Sequence, residues 1–486
     1  MHATRALGRA FAGFFSGTML SRISGMIRDM VMAAAFGASP LFSAFLVAYR
    51  FANLPRRLFG EGAMHAAFIP QYEAIRKVDP ERARHFFRDL VYLLTLLLGV
   101  SGCAVAYFLP SHTAVLRLTR FLLPFLPFIC LYGLKLAYHN CQGAYFRPSM
   151  APVLFNLVWM GGALLASPTE RGMGLLALVV GGGFVVQWLM VALPLARELG
   201  PKGLHLFTPE LRRCLRSLGL ALLGVGAVQI NSALDPLFAF AGSPSAPAHL
   251  WYAIRLQQFP LALFGLALSS VVLPPLSRAR DEEEYGRVYS WGRERAFELM
   301  APCTIGILVC GLAAVSLLFH RGAFGAGDCR QTTLCLIGYG VGLVPMALIL
   351  LRTAALHSRG DYRTPATLSA VSVVLNILLN TLFVFVLHWG GVGVALSTSL
   401  CAFFQAALLK TKVGEGGWGG GMAWLASAAS GMAALLMDRW VGGAFFWERS
   451  LAAGLLGQLV ALGIPAATFL LVYGVLMGRR LLALIR

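Results

Sequence analysis

Residues 50–70 read RFANLPRRLFGEGAMHAAFIP, and residues 255–275 read RLQQFPLALFGLALSSVVLPP. The two stretches align without gaps at an offset of 205. Arg50 meets Arg255, Pro55 meets Pro260, Leu58-Phe59-Gly60 meets Leu263-Phe264-Gly265, and Pro70 meets Pro275. A fainter echo pairs Gly143, Tyr145 and Pro148 with Gly360, Tyr362 and Pro365. The first pair of copies occupies apolar runs six spans apart, so both cross a membrane in the same direction. The expected architecture is two six-helix lobes related by a pseudo-two-fold axis along the membrane normal, with a site between them. The copies differ in charge: Arg56, Arg57 and Glu61 stand where the second copy has Leu261, Ala262 and Leu266. The proline and the Phe-Gly therefore belong to a shared scaffold, and the charges belong to the first lobe alone.

The rest of the chain agrees with a membrane setting. Of its 486 residues 58% are hydrophobic and 13% charged, where a soluble domain carries about 25% charged residues. Fourteen apolar runs of spanning length can be read, the first at 11–36 and the last at 451–478. They define an all-α polytopic protein with an N-lobe over 1–200 (spans 1–6), a C-lobe over 201–412 (spans 7–12) and two added spans in 413–486. The first run is too long for the apolar part of a signal peptide and carries Arg22 and Arg28, so it is expected to remain as a span. Although the net charge is +19, its distribution argues against nucleic acid. Most Lys and Arg fall in the termini and the even-to-odd connections, which places both termini in the cytoplasm by the positive-inside rule. The connections are short and leave no room for a soluble catalytic domain, so no enzyme is expected.

Motifs for bound groups are lacking. The nine cysteines are scattered without C-x-x-C or zinc spacing and read as small hydrophobes; Cys329 and Cys335 are close enough in sequence for a disulfide to be weighed, and it is disfavoured. Gly181-Gly182-Gly183 has no following Lys-Ser/Thr and is a packing element, not a phosphate loop. No cofactor and no metal site is expected. Thr208-Pro209-Glu210 reads as the cap and first turn of a helix.

Eight cations fall within or at the ends of the spans: Arg22, Arg28, Arg50, Arg56, Arg57, Lys135, Arg255 and Arg352. Against them stand Asp29, Glu61 and Asp235. A charge at the bilayer centre costs about 2.5–3.5 kcal/mol on insertion scales, so these groups must face counter-ions or water. A hydrated cationic cavity lined by Arg22, Arg28, Arg56, Arg57, Arg255 and Arg352 is the expectation, and it selects anions. Arginine outnumbers lysine, which suits forked hydrogen bonds to phosphate oxygens. Supporting or coupling roles fall to Ser21, Asp29, Asn53, Glu61, Asn156, Gln229 and Asp235. Gly17, Ser21 and Gly25 form a small-residue stripe for close helix packing. Glu61 and His65, and likewise Lys135 and His139, lie one turn apart; each pair reads as a proton relay or, preferably, as an ordinary packed histidine beside a paired charge.

Several of these stretches are distinctive together: SRISGMIRDMVMAAAFGAS, NLPRRLFGEGAMHAAFIPQY, APVLFN, RLQQFPLALFGLALSSVVLPPLS and RGDYRTP. They resemble the bacterial lipid II flippase family (MurJ/MviN type) of the multidrug/oligosaccharidyl-lipid/polysaccharide exporter superfamily. The patterns S-R-x-x-G-x-x-R-D and R-R-x-F-x-E-G-A carry the likeness, which runs from about residue 11 to 412. It implies fourteen helices, a central cationic cavity, and two extra helices forming a groove for a lipid tail. It also implies movement of an undecaprenyl-diphosphate-linked disaccharide-pentapeptide from the inner to the outer leaflet by alternating access. The family's required arginines map to Arg22, Arg28, Arg56, Arg57 and Arg255, and its basic position in span 10 to Arg352. Coupling to membrane potential, H+, Na+ or Cl− stays open, as do contacts with phospholipid and with cell-wall synthesis or division proteins.

The chain departs from the family pattern at three places. Ser43 and Ile254 stand where the family usually has aspartate, which removes two carboxylates from pairing or proton transfer. NLPRR replaces a pattern nearer L-P-N-x-x-R-R. Other readings are weaker. A related exporter of O-antigen lipids or drugs is the nearest alternative, although a cationic-drug site would want acids. A polyprenyl-phosphate enzyme would need an acidic metal cluster, and a scaffold would have no use for so many intramembrane cations.

Overall fold

The computed structural model describes residues 2–56, 63–144, 146–196, 204–205, 208–414, 420–442, 451 and 454–482. Among these there is helix and turn but no strand. In hydrocarbon every backbone N–H and C=O must be satisfied within its own segment, which leaves the helix as the form for apolar runs such as these. Ten helices or broken helix pairs among the described residues are long and apolar enough to cross a membrane. The chain packs as two compact units, Met1–Ala233 and Leu234–Arg486.

The first unit contains α1 (His2–Phe36), α2 (Pro40–Pro55), α3 (Ala63–Val78), α4 (Pro80–Phe108), α5 (Ala114–Leu122), α6 (Leu126–Cys141), α7 (Phe146–Leu165) and α8 (Glu170–Ala192). The next helix, α9 (Pro209–Gly242), carries the boundary between the units. The second unit continues with α10 (Ala246–Pro260), α11 (Ala267–Arg278), α12 (Glu282–Phe319), α13 (Ala326–Gly340), α14 (Leu343–Ser358), α15 (Arg363–Thr381), α16 (Gly390–Val413), α17 (Gly421–Gly442) and α18 (Leu455–Leu482).

Helix starts follow local chemistry. The hydroxyl of Ser39 accepts from the Phe42 amide at 3.3 Å, with Pro40 in the first turn. Asp79 accepts from the amides of Glu81 and Arg82, with Pro80 following it. Thr208 accepts from the Leu211 amide at 3.3 Å, so α9 begins as its Thr-Pro-Glu signature predicts. Each side chain satisfies amides that have no partner inside the helix.

Both echoes of the internal repeat are visible within their own units. α2 ends at Pro55 and α10 ends at Pro260. A proline supplies no N–H to the carbonyl one turn back; after Pro260 the winding widens to a π-helix over Leu261–Leu266, and Arg56, the last described residue after Pro55, has the same winding. The second echo is closer still. At an offset of 217, α6 and α14 match end to end, and α7 and α15 start in register. After α6, the amide of Gly143 donates to Asn140 O and that of Ala144 to His139 O. After α14, Gly360 donates to His357 O and Asp361 to Leu356 O. Gly143 and Gly360 have φ of 73° and 78°, the left-handed region that a Cβ disfavours. Asp361 then accepts from the Thr364 amide at 2.9 Å, and hydrogen bonds from Thr364 hold its carboxyl below the usual carboxylate range.

Glycines set the helix spacing. A Cβ on Gly17 would lie 2.0 Å from Ser149 Oγ, so α1 and α7 approach along the predicted small-residue stripe. A Cβ on Gly181 would lie 2.2 Å from the Phe125 ring. The core of the first unit is an aromatic chain in which Phe36, Phe42, Phe45, Tyr49, Trp159 and Phe184 meet ring to ring. In the second, residues of α11, α12, α14, α17 and α18 share one apolar core. Cys329 and Cys335, six residues apart on α13, are both free thiols.

Because neither Gly143 nor Gly360 has an atom within 4 Å of a notional Cβ, an alanine there meets only backbone strain. Gly143→Ala and Gly360→Ala should each cost about 1–2 kcal/mol and by similar amounts. Thermal unfolding of the purified protein in detergent checks this; a loss at one site only would mean that the two turns are not equivalent.

Candidate functional site

In the first unit the structure joins four of the singled-out residues around Arg28. Its Nε and Nη2 donate to Asp29 Oδ1 at 3.1 and 2.7 Å, and its Nη1 donates to Asn156 Oδ1 at 3.0 Å. The guanidinium carbon stands 4.4 Å from the centroid of Trp159. Asn156 in turn donates to Ser24 Oγ at 2.8 Å and to the Ser21 carbonyl at 3.4 Å. Arg28 and Asp29 are 5% and 1% exposed. This is a paired, hydrogen-bonded charge of the kind that survives burial, and the Arg-Asp sequence puts acid and base side by side. The same pairing recurs at Arg88 and Asp89, also buried.

Six residues before Arg28, about 120° around the helix, Arg22 is exposed. On α2 the Nη1 of Arg50 donates to the Ser232 hydroxyl and carbonyl at 3.0 and 3.2 Å. Asn53 is buried, and its Oδ1 has no hydrogen-bond partner among the described residues. Arg56 is half-buried, directly after Pro55. Arg57 and Glu61 lie outside the described residues. Gln229 is half-buried with its Oε1 unpartnered among the described residues.

The histidines take ordinary roles. His65 Nε2 lies 3.1 Å from the Gly133 carbonyl and His139 Nε2 lies 3.0 Å from the Val191 carbonyl. Each ring is thus tied to backbone, in keeping with the packed-histidine reading.

In the second unit Arg255 is half-buried on α10, its guanidinium carbon 4.5 Å from the Trp251 ring centroid. Arg352 is fully buried, and its Nη1 donates to the Ala406 carbonyl at 2.7 Å, joining α14 to α16. Asp235 accepts from Asn380 Nδ2 at 3.0 Å. Asn380 also donates to Asn376 Oδ1 at 2.8 Å, and Ser397 donates to Asn380. This polar cluster links α9, α15 and α16 in otherwise apolar helices. Ser43 is fully buried and Ile254 half-buried, so the two positions lacking the usual acids are within their units.

Sequence reading passed over two features. Asn376, Asn380 and Ser397 carry no charge, and their signal was the four-residue spacing of two asparagines in an apolar span. The second is a pair of cations. At the repeat's offset of 217, Lys135 on α6 corresponds to Arg352 on α14. Both are 0% exposed. Lys135 Nζ stands 4.0 Å from the centroid of Trp188 on α8 and has no hydrogen-bond partner among the described residues. The repeat thus places one fully buried cation between the corresponding helices of each unit, and only the arginine reaches a carbonyl.

Two outcomes follow. Removing Arg28 strands a buried carboxylate, so Arg28→Ala should cost about 3–5 kcal/mol of stability, and adding Asp29→Ala should recover part of it. A double-mutant cycle of unfolding in detergent measures the coupling; additive losses would refute the pair. Lys135→Met exchanges a buried amine without a hydrogen-bond acceptor among the described residues for an apolar chain, and should leave stability unchanged or raise it by about 1–4 kcal/mol. A lower unfolding midpoint would show that Lys135 holds a stabilising partner.

Comparison with known proteins places this arrangement. The family model described as "Lipid II flippase MurJ" matches residues 32–462. A "probable lipid II flippase MurJ" of Chlamydia trachomatis is 32% identical over 419 residues, 83% of this chain and 78% of the relative. The "lipid II flippase MurJ" of Burkholderia cenocepacia is 31% identical over 419 residues, 81% of each. In fold, the chain is similar to a solved structure of "Lipid II flippase MurJ, inward closed conformation", with TM-score 0.80 at 21% identity over 97% of this chain and 99% of that one. An inward-facing multidrug resistance transporter, of the MATE family in the MOP superfamily, gives a TM-score of 0.60 at 14% identity over 81% of this chain and 94% of that one. With the family model spanning most of the chain and relatives above 30% identity along four-fifths of it, this chain belongs to the lipid II flippase family.

Proposed function

We propose that the chain moves lipid II, the undecaprenyl-diphosphate-linked disaccharide-pentapeptide, from the cytoplasmic to the outer leaflet of the bacterial inner membrane by alternating access. The match to the family model over residues 32–462 carries this reading. Both termini are cytoplasmic in this reading, supported by the concentration of Lys and Arg in alternate connections.

The diphosphate is held by arginines of two kinds. Arg22, Arg56, Arg57 and Arg255 are the contacting set; the exposure of Arg22 and the partial exposure of Arg56 and Arg255 support this. Arg28, bound by Asp29 and Asn156, contributes an ion-pair dipole whose direction is set before the ligand arrives. Arg352, donating to Ala406, enters as a brace between α14 and α16 instead of a direct contact. Glu61 serves as counter-charge to the Arg56–Arg57 pair. The cycle turns only if the lipid binds the two access states unequally. Release follows when the cationic groups separate and water dilutes their field, since charges more than about 8–10 Å apart in saline are largely screened. Ser43 and Ile254 leave the cycle without two acids, so any coupling through H+, Na+, Cl− or the membrane potential must act on the remaining acids or on the arginines directly.

Depletion of the protein should leave lipid II in the cytoplasmic leaflet, read by its accessibility to externally added enzyme or label. Arg56→Ala and Arg255→Ala should lower translocation at least about tenfold, one charge-assisted phosphate contact each, at normal protein level. Unchanged sidedness on depletion would overturn the function; normal translocation by both variants would overturn the clamp alone.

A further inference from the structure

The first unit has a cleft of about 450 Å³ on the flank of α4, α5 and α8, within the size range of small-ligand sites. Its walls include Cys103, Tyr107, Phe121, Phe125 and Leu178, with one charge, Arg120. The cleft is shaped by a break in the chain: α5 stops at Leu122 and a 3₁₀ turn over Leu123–Phe125, containing Pro124, precedes α6. Glycines let that break sit close to its neighbours. A Cβ on Gly102 of α4 would be 2.8 Å from the Leu123 carbonyl, and Gly174 and Gly181 of α8 face the rings of Phe121 and Phe125. The floor is therefore closely packed and apolar.

The surroundings mark this face as lipid-exposed. Leu97, Val100, Tyr107, Phe108 and Leu175 are all strongly exposed and apolar or aromatic. One helical turn before Arg120, Arg117 pairs with Glu170 at 3.0 Å on the exposed rim. Arg120 itself is exposed and forms no ion pair among the described residues. It lies on the side of α5 that borders the cleft, one turn deeper than the paired arginine and close to the aromatic end of α4. That combination matches the headgroup depth of a bilayer, where Tyr gathers and arginine meets phosphate.

We propose that this cleft is a binding site for an anionic glycerophospholipid, with one acyl chain against the apolar walls and the phosphodiester on Arg120. The charge complementarity sets the choice of occupant. A soluble anion would gain nothing from the walls, a cationic amphiphile would be repelled by Arg120, and no acid lines the cleft to neutralise it. The site is separate from the arginines of the translocation reading and depends only on this face meeting lipid, so its failure would leave that reading untouched.

Native mass spectrometry of the full-length detergent-purified protein tests it with three probes: phosphatidylglycerol, the diacylglycerol with the same chains but no phosphate, and a polyprenyl monophosphate. The expected result is one retained phosphatidylglycerol, reduced about fivefold in Arg120→Gln and restored in Arg120→Lys, as a charge-assisted phosphate contact requires. Leu178→Trp, which fills an exposed part of the wall, should lower retention with the cation intact. Diacylglycerol should not be retained. Equal phosphatidylglycerol retention by the wild type, Arg120→Gln and Leu178→Trp would overturn the proposal, and so would preferential retention of the polyprenyl phosphate.

Discussion

A guanidinium carried into an apolar helix bundle must bring acceptors with it, and the Arg28 arrangement meets that demand within a few residues. Asp29 takes two of its donors, Asn156 takes a third, and Trp159 supplies a ring face. Burying a charge unpaired costs several kcal/mol, more than one cap or one hydrogen bond returns. The requirement therefore propagates outward. α7 must bring Asn156 to α1, which requires the close approach at Gly17 and Ser149. Asn156 must be oriented by Ser24 and the Ser21 carbonyl. Trp159 must stand where it also meets Phe45, Tyr49 and Phe155. One charge thereby ties the small-residue stripe, the aromatic core and the polar side chains of two helices into a single constraint.

The internal repeat shows how far the same scaffold tolerates different charge. α6 and α14 carry a fully buried cation at the same register, yet the side chains solve burial differently. Arginine has a long planar fork that reaches the Ala406 carbonyl, whereas lysine, a compact point charge, stands over Trp188. What the two copies share is backbone: the left-handed glycine after each helix and the matching pair of turn hydrogen bonds.

These shared features were legible in sequence because each has a local cause. Gly143 and Gly360 sit where a left-handed residue is needed, Pro55 and Pro260 end helices because proline lacks an N–H, and Thr208-Pro209-Glu210 starts one. Lobe charge was legible too, since arginine in an apolar run is conspicuous. Partners were not. Nothing in the spacing told that Arg28 would be saturated by a residue 128 positions away, or that Arg352 would donate to a backbone carbonyl. Lys135 was visible as a cation at the offset of the Gly143 and Gly360 echo from Arg352, but its place over Trp188 was not. The cleft at Arg120 had no sequence signal at all, because it arises from a break in one helix and glycines in two others.

The separation of shared break from unshared charge bears on how the proposed cycle discriminates between its states. A ligand shifts a conformational equilibrium only through unequal affinity for the two forms. Arg56 follows Pro55 directly, at the residue where α2 ends. In the second unit the corresponding winding after Pro260 is a π-helix that spans six residues and carries no charge. Helices bend at such sites, because proline and π-turns remove the regular ladder that resists it. A guanidinium placed beside the break is displaced by a change in winding that would leave a mid-helix arginine such as Arg28 in place. In the proposed cycle Arg28, fixed by Asp29 and Asn156, is common to all states, and Arg56 supplies the difference between them. The second copy keeps the break and has Leu261 in place of the arginine, so it can bend without discriminating. On the proposed reading, ligand sensing rests on the proline-broken span of the first unit.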